Sequence, residues 1–305
     1  MNVLENIDLL KLIGRQERQS LIPLSDFEDS ILNRLKNGIS QFGDEIPWHK
    51  HQDNFRFRPH EVTLWVGING HGKSLVLSHV MAHLMKTTTC ILASLEMKAD
   101  AVGERLIKQI AGLGKPAAGF SKGILKWTDD RLWIYDELDT VEHQRIIGMC
   151  IYAFTELKIN HVFIDSLMKC GMDDDDYNAQ KRFVDRLCWV AKAHGGHIHL
   201  VAHMRKGKSE FDVPDKFDVL GSSAITNLVD NVAIVHRNLR KEMLIEKGDD
   251  VDKMVPDSIV KVVKQRHGDW QGKINLWLDK ESQQFKGSPD GKLEWFDIKP
   301  LEKVA

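Results

Sequence analysis

The sequence predicts an α/β fold with a mostly parallel central sheet. Three observations lead there. From residue 61 onward, short apolar stretches rich in β-branched residues alternate with helix-like stretches. The first such pair is joined by Gly67-Ile68-Asn69-Gly70-His71-Gly72-Lys73-Ser74, which fits the phosphate-binding pattern G-x-x-x-x-G-K-[ST] at every fixed position. Beyond Asp257 the helical periodicity stops, and short strands separated by turn residues follow as a C-terminal β-meander.

The elements follow in order. Residues 1 to about 20 are mixed and polar, with weak order expected. Leu24 to Leu35 reads as a helix: Ser25 suits an N-cap, Phe27, Ile31, Leu32 and Leu35 share one face, and Gly38 suits the end. Its apolar stripe needs a surface, either on its own domain or on a neighbouring subunit. Residues 41 to 60 read as a polar connector containing Pro47 and Pro59. Strands are expected at Val62–Val66, Thr89–Leu95, Leu132–Tyr135, His161–Ile164, Ile198–Ala202 and Asn231–His236. Helices are expected at Leu75–Met85, Ala99–Ile110, Val141–Leu157, Asn178–His194 and Ile225–Leu228. The meander is expected at Ile259–Val263, Lys273–Leu278 and Gln283–Phe285, with turns at Gly268 and Asp279. Two segments result, residues 1–45 with the short helix and residues 46–305 as the main domain.

Bulk properties narrow the function. The 305 residues are 42% apolar and 28% charged, ordinary for a globular protein. A net charge of −2 excludes a generally basic surface, so any nucleic-acid contact must be local. Cys90, Cys150, Cys170 and Cys188 are far apart, which argues against zinc and for free thiols in a reducing compartment. No apolar run is long enough to span a membrane, and residues 1 to 20 lack a signal-peptide core, so a cytoplasmic location is expected.

The phosphate loop assigns a first group of candidates. Gly67, Asn69, Gly70, His71 and Gly72 would wrap backbone N–H groups around an anion, Lys73 would reach the β- and γ-phosphates, and Ser74 would hold Mg²⁺. Nucleotide hydrolysis needs more groups, each at the C-terminal end of a parallel strand. Glu96 closes Cys90-Ile91-Leu92-Ala93-Ser94-Leu95, where a carboxylate can polarise water; a solvated carboxylate at a helix start is the equal alternative. Asp165 closes Val162-Phe163-Ile164 in the Walker B pattern and would hold the Mg²⁺ shell opposite Ser74. His203 ends His199-Leu200-Val201-Ala202, where a polar side chain can sense the γ-phosphate. His194, His197 and His199 lie nearby, but their spacing completes no known metal-ligand set.

Cations fall into two groups. Arg205, Lys206 and Lys208 follow His203 directly and would grip nucleic-acid phosphates. Lys264 and Arg266 alternate on a late strand and so project to one face. There they either complete a neighbour's site as arginine-finger-type cations or decorate a polar edge. The acidic run Asp173 to Asp176 reads as a solvated loop.

Taken together, Gly67–Ser74, Ser94-Leu95-Glu96-Met97, Phe163-Ile164-Asp165-Ser166-Leu167, Leu200-Val201-Ala202-His203 and Lys264-Gln265-Arg266-His267-Gly268 resemble the ordered motifs of DnaB-like replicative helicases. The resemblance runs over residues 40 to 290. His203 stands where bacterial members usually carry Gln, so the pattern is most similar to the helicase half of phage helicase–primases. Asp218-Val219-Leu220-Gly221-Ser222-Ser223-Ala224-Ile225 resembles the family's DNA loop, with Leu220 in place of its usual Arg.

The resemblance implies a RecA-like P-loop NTPase core, a homo-hexameric ring, ATP (or dTTP or another NTP) with Mg²⁺, and 5′→3′ translocation on single-stranded DNA at a replication fork. Under it Lys73, Glu96 and Asp165 are catalytic, and His203 couples the γ-phosphate to DNA. Lys264 and Arg266 act in trans, Gly221 and Ser222 join the DNA-binding cations, and the Leu24–Leu35 helix docks on a neighbour. It also implies that primase and DNA polymerase are separate proteins, because no zinc-ribbon cysteines, primase domain or helical N-terminal domain precede the core. A phage-encoded protein working in the bacterial host cytoplasm fits that plan. Two other readings share the core: a recombination ATPase forming filaments on DNA, and a nucleotide-gated assembly protein that unwinds nothing.

Overall fold

A computed structural model of the chain describes residues 22–37, 42–173, 175–204, 211–214 and 223–300. The chain divides into two units, the first ending at Phe42 and the second beginning at Gly43. In the first unit, helix α1 (Glu28–Asn37) follows a 3₁₀ turn over Leu24–Phe27. Leu24, Phe27, Leu32 and Leu35 are exposed, so the apolar stripe expected on this helix is present and uncovered.

The second unit opens with a two-stranded antiparallel ribbon, β1 (Asp44–Glu45) and β2 (Arg56–Phe57). Then come β3 (Val62–Gly67), α2 (Lys73–Leu84), β4 (Cys90–Ser94), α3 (Ala99–Ala111), α4 (Ala118–Thr128) and β5 (Leu132–Ile134). Helix α5 (His143–Thr155), β6 (His161–Asp165), α6 (Tyr177–His194), β7 (His197–His203), α7 (Ser223–Leu228) and β8 (Asn231–Arg237) continue the alternation. Helix α8 (Leu239–Glu246), β9 (Ser258–Gln265), β10 (Gly272–Leu278) and β11 (Phe285–Lys286) complete it.

A nine-stranded sheet has the order β11-β10-β9-β8-β3-β7-β6-β4-β5. The strands from β8 through β5 run parallel, and β9 to β11 add antiparallel at one edge. This is the predicted α/β architecture with its antiparallel C-terminal meander. Side chains alternate across the sheet, as strand geometry requires. Leu64, Val66, Val162 and Ile164 face a core shared with α5, α6 and α7, whereas Trp65 and Phe163 face one shared with α2, α3 and α4. All six residues of β3 are buried, which is the signature of a central strand covered on both faces.

Every strand and helix expected between residues 61 and 286 is present, with ends shifted by one or two residues. Two helices were missed. Helix α4 contains two glycines, which argue against a helix, and α8 buries only Lys241 and so shows no strong apolar stripe. The polar connector expected at 41 to 60 is instead folded: Ile46, Trp48, Phe55 and Phe57 are all buried, and the Trp48 indole N–H donates to the Phe285 carbonyl at 2.9 Å. Four widely spaced apolar residues among charges hid this patch from periodicity. The acidic loop has a structural task, since the Asp176 carboxylate caps α6 by accepting from the Ala179 N–H at 2.8 Å.

Candidate functional site

Strands β3, β7, β6 and β4 are adjacent, and their C-terminal ends carry the phosphate loop, His203, Asp165 and Glu96 in that order. Register fixes the alignment, with Gly67 opposite His203 and Ser94 opposite Asp165. A parallel sheet sends every chain out at the same edge, so residues far apart in sequence meet there.

The loop is shaped by its glycines. A Cβ on Gly67 would stand 2.5 Å from the Val235 carbonyl, so only glycine lets β3 leave so close to β8. Gly70 and Gly72 both have φ +81, and Gly72 forms the N-cap of α2. The first turn of α2 therefore points partnerless amides at the loop mouth. Asn69 and Gly70 are exposed there, while the His71 side chain turns inward. Its Nδ1 accepts from the Arg237 N–H at 3.2 Å, and its ring packs on His236 at 5.1 Å. His71 thus contributes backbone to the mouth and tethers the loop to the end of β8.

Lys73 is the first residue of α2 and is only 7% exposed. Its Nζ donates to the Gly67 carbonyl at 2.9 Å, the Ile68 carbonyl at 3.2 Å and His203 Nδ1 at 3.3 Å. Burial lowers its pKa, against the opposing pull of Asp165 and Glu96. The Ser74 hydroxyl donates to Asp165 Oδ2 at 2.6 Å. Burial raises the Asp165 pKa, offset by that hydrogen bond. On the far side, the Ser166 hydroxyl donates to Glu96 Oε1 at 2.5 Å, and His203 Nε2 lies 3.5 Å from the same oxygen. The His203 hydrogen bond, supported by Ser166, pulls the Glu96 pKa down to about 2 against the cost of burial. With Lys73 donating to Nδ1, His203 carries its proton on Nε2 and faces Glu96. A continuous polar line, Lys73–His203–Glu96, therefore crosses four strand ends.

The donor set fits a magnesium–triphosphate. A hydroxyl paired with a carboxylate suits a hard, oxygen-seeking cation. A buried ammonium resting on neutral carbonyls suits an anion.

Lys264 and Arg266 do share a face, but within one chain they are engaged elsewhere. Lys264 Nζ donates to the carbonyls of Thr226, Asn227 and Val229 at 2.6 to 2.9 Å, closing the C-terminal end of α7. Arg266 donates to the Leu228 carbonyl at 2.9 Å and pairs with Asp230 at 2.9 Å. They sit beside the start of β8, where Gln265 pairs with Asn231, whereas the loop contacts its end at Arg237. A seven-residue strand, about 20 Å long, separates them from their own phosphate loop. Arg205, Lys206, Lys208, Gly221 and Ser222 lie outside the described residues.

Three residues join the site that sequence reasoning did not select. Ser166 holds Glu96; its place directly after Asp165 was the available signal. Arg237 presents its amide to the loop's His71, and nothing in the pattern marked it. Arg105 on α3 lines the same hollow as Ser74 and Asp165 and donates to Met97 Sδ at 3.3 Å. It falls between Val102 and Leu106 on the buried stripe, which was the clue.

A family model described as an AAA domain matches residues 43–209. No curated protein matches the sequence. Among solved structures, a DnaB-like replicative helicase, described together with its interactions with primase, superposes with a TM-score of 0.67 at 14% identity. The match covers 91% of this chain and 70% of that one. A second solved structure, an ATPase domain, superposes with a TM-score of 0.68 at 15% identity, over 87% of this chain and 98% of that one. At these identities the likeness is one of fold, and it agrees with the RecA-like architecture expected from the sequence. The chain belongs to the AAA domain family.

Proposed function

We propose that the protein hydrolyses a nucleoside triphosphate to drive 5′→3′ movement along single-stranded DNA as a ring, separating duplex at a replication fork. The observation that carries this reading is the Lys73–His203–Glu96 line beside the Ser74–Asp165 pair. Lys73 withdraws from the Gly67 and Ile68 carbonyls to meet the γ-phosphate. That removes the cation from His203 Nδ1 and changes the contact of His203 with Glu96. Glu96 orients the attacking water; with a pKa near 2 it acts through alignment and charge more than as a strong proton acceptor. Ser74 and Asp165 would hold Mg²⁺, which would supply neutralising charge to the triphosphate.

His203 is also the last strand residue before Arg205, Lys206 and Lys208, so its shift reaches the proposed DNA grip. Lys264 and Arg266 serve a neighbouring copy, since their own loop lies beyond reach. The exposed stripe of α1 supports docking between copies. Direction, ring form, replication role and separate primase and polymerase rest on the family resemblance. The decisive assay is unwinding of a forked duplex with ATP and Mg²⁺. Unwinding that vanishes in Glu96→Gln supports the reading. Hydrolysis without unwinding, on open filaments seen by electron microscopy, would favour the recombination ATPase.

A further inference from the structure

The second unit carries a cleft of about 610 Å³ whose lining shares no residue with the phosphate loop, walled by Pro47–Lys50, the outer part of α2 with Lys86, and the segment from β11 onward. Its lining is strongly one-signed. Lys50, Lys86, Lys286 and Lys292 contribute to it, and Glu294 is the one carboxylate among its lining residues.

That carboxylate is already engaged within the fold. His79 Nε2 lies 3.3 Å from it, Lys86 Nζ 2.6 Å, and His83 Nδ1 bonds it as well. Against the opposing cost of burial, the His79 and His83 contacts hold the Glu294 pKa well below the usual carboxylate range. Lys286 donates to the Pro289 carbonyl at 2.9 Å. Lys50 and Lys292 have no ion-pair partner among the described residues. Nearby Asp290 is exposed and turned to Lys253 at 3.5 Å. Trp295 completes the cleft and is 75% exposed. The field is therefore positive in a protein whose net charge is −2.

We infer that this cleft is a second binding site for single-stranded nucleic acid, with Lys50 and Lys292 on phosphates and a base stacked on Trp295. Unpaired ammonium groups beside an open indole face are the recurring elements of such sites. A free phosphate would leave the indole unused. An acidic peptide would meet the lysines but gain little from a flat, solvent-facing ring.

The inference is independent of unwinding and hydrolysis, so the test uses the full-length chain without nucleotide. The chain first carries Arg205→Ala, Lys206→Ala and Lys208→Ala, which remove the proposed loop grip. Binding of a fluorescein-labelled oligothymidylate is then followed by anisotropy across a salt series. We expect residual binding. Adding Lys50→Ala and Lys292→Ala should flatten its log–log salt dependence by about 1.4. Adding Trp295→Ala should weaken it about 10-fold at fixed salt. Circular dichroism confirms that each variant is folded. Loss of all binding with the loop substitutions alone would overturn the inference. So would affinity and salt dependence that ignore the cleft substitutions, or displacement of the oligonucleotide by polyglutamate more readily than by unlabelled oligonucleotide.

Discussion

Strand β7 begins with His197 and ends with His203, and the two ends of that strand follow different physics. At the start, His197 is completely buried; its Nδ1 donates to the Arg58 carbonyl at 2.6 Å and its Nε2 pairs with the Thr63 hydroxyl at 2.9 Å. Beside it, His199 Nδ1 accepts from the Trp65 indole at 3.2 Å, and its Nε2 meets His161, which reaches Asp44 at 3.0 Å. Every ring nitrogen in this group has a partner inside the fold. At the far end, His203 lies between the Lys73 ammonium and the Glu96 carboxylate, both of which the proposed reaction would use. One end of the strand is closed and structural; the other is poised.

The largest effects should separate the two ends. Glu96→Gln should lower hydrolysis by about 10² to 10⁴-fold while leaving the denaturation midpoint within error. His197→Ala should do the reverse. It strands the Arg58 carbonyl and opens a buried gap, costing about 2 to 4 kcal/mol in denaturant unfolding, with turnover per folded molecule unchanged. A His197 variant that is stable but inactive would break the division.

Protonation offers a subtler contrast. Burial holds the His197 pKa down to about 3, below the ordinary 6.5. The unfolded chain therefore takes up a proton that the folded chain refuses. The stabilisation from neutral His197 is full above pH 6.5 and falls as pH drops toward 3. Between about pH 7.5 and pH 5 this one residue should cost about 2 kcal/mol, read from denaturant midpoints at the two values. His197→Gln should flatten that dependence. At the other end, His203→Ala removes the main cause of the low Glu96 pKa, so the acid limb of the hydrolysis profile should move to higher pH. An unmoved limb would detach His203 from Glu96.

The most diagnostic effect concerns Arg266. In trans, Arg266→Ala should lower hydrolysis only in the assembled state, on the order of 10³-fold. If Arg266 merely closes α7, the variant should lose stability and keep its rate.

What the sequence revealed follows the same divide. The poised end was legible because phosphate chemistry restricts residue types: Gly67, Gly70, Gly72, Lys73 and Ser74 admit few substitutes, and an acid closing an apolar strand stands out. The closed end was not. The bonds of His161, His197 and His199 to Thr63, Arg58, Trp65 and Asp44 could not be read from the sequence, because these partners come from separate segments. Ile46, Trp48, Phe55 and Phe57 were hidden likewise, because four apolar residues among charges carry no period. Lys264 and Arg266 were seen as a facing pair, yet their carbonyl partners at the end of α7 could be found only in three dimensions.

One measurement bears most directly on the account: steady-state ATP hydrolysis by the purified chain, with Mg²⁺, with and without single-stranded DNA, alongside the mass of the particle in solution. The account predicts assembly into a multimer and a rate that rises several-fold with DNA in the native chain but not in His203→Ala. A chain that stays monomeric and hydrolyses ATP at the same rate with or without DNA would contradict it.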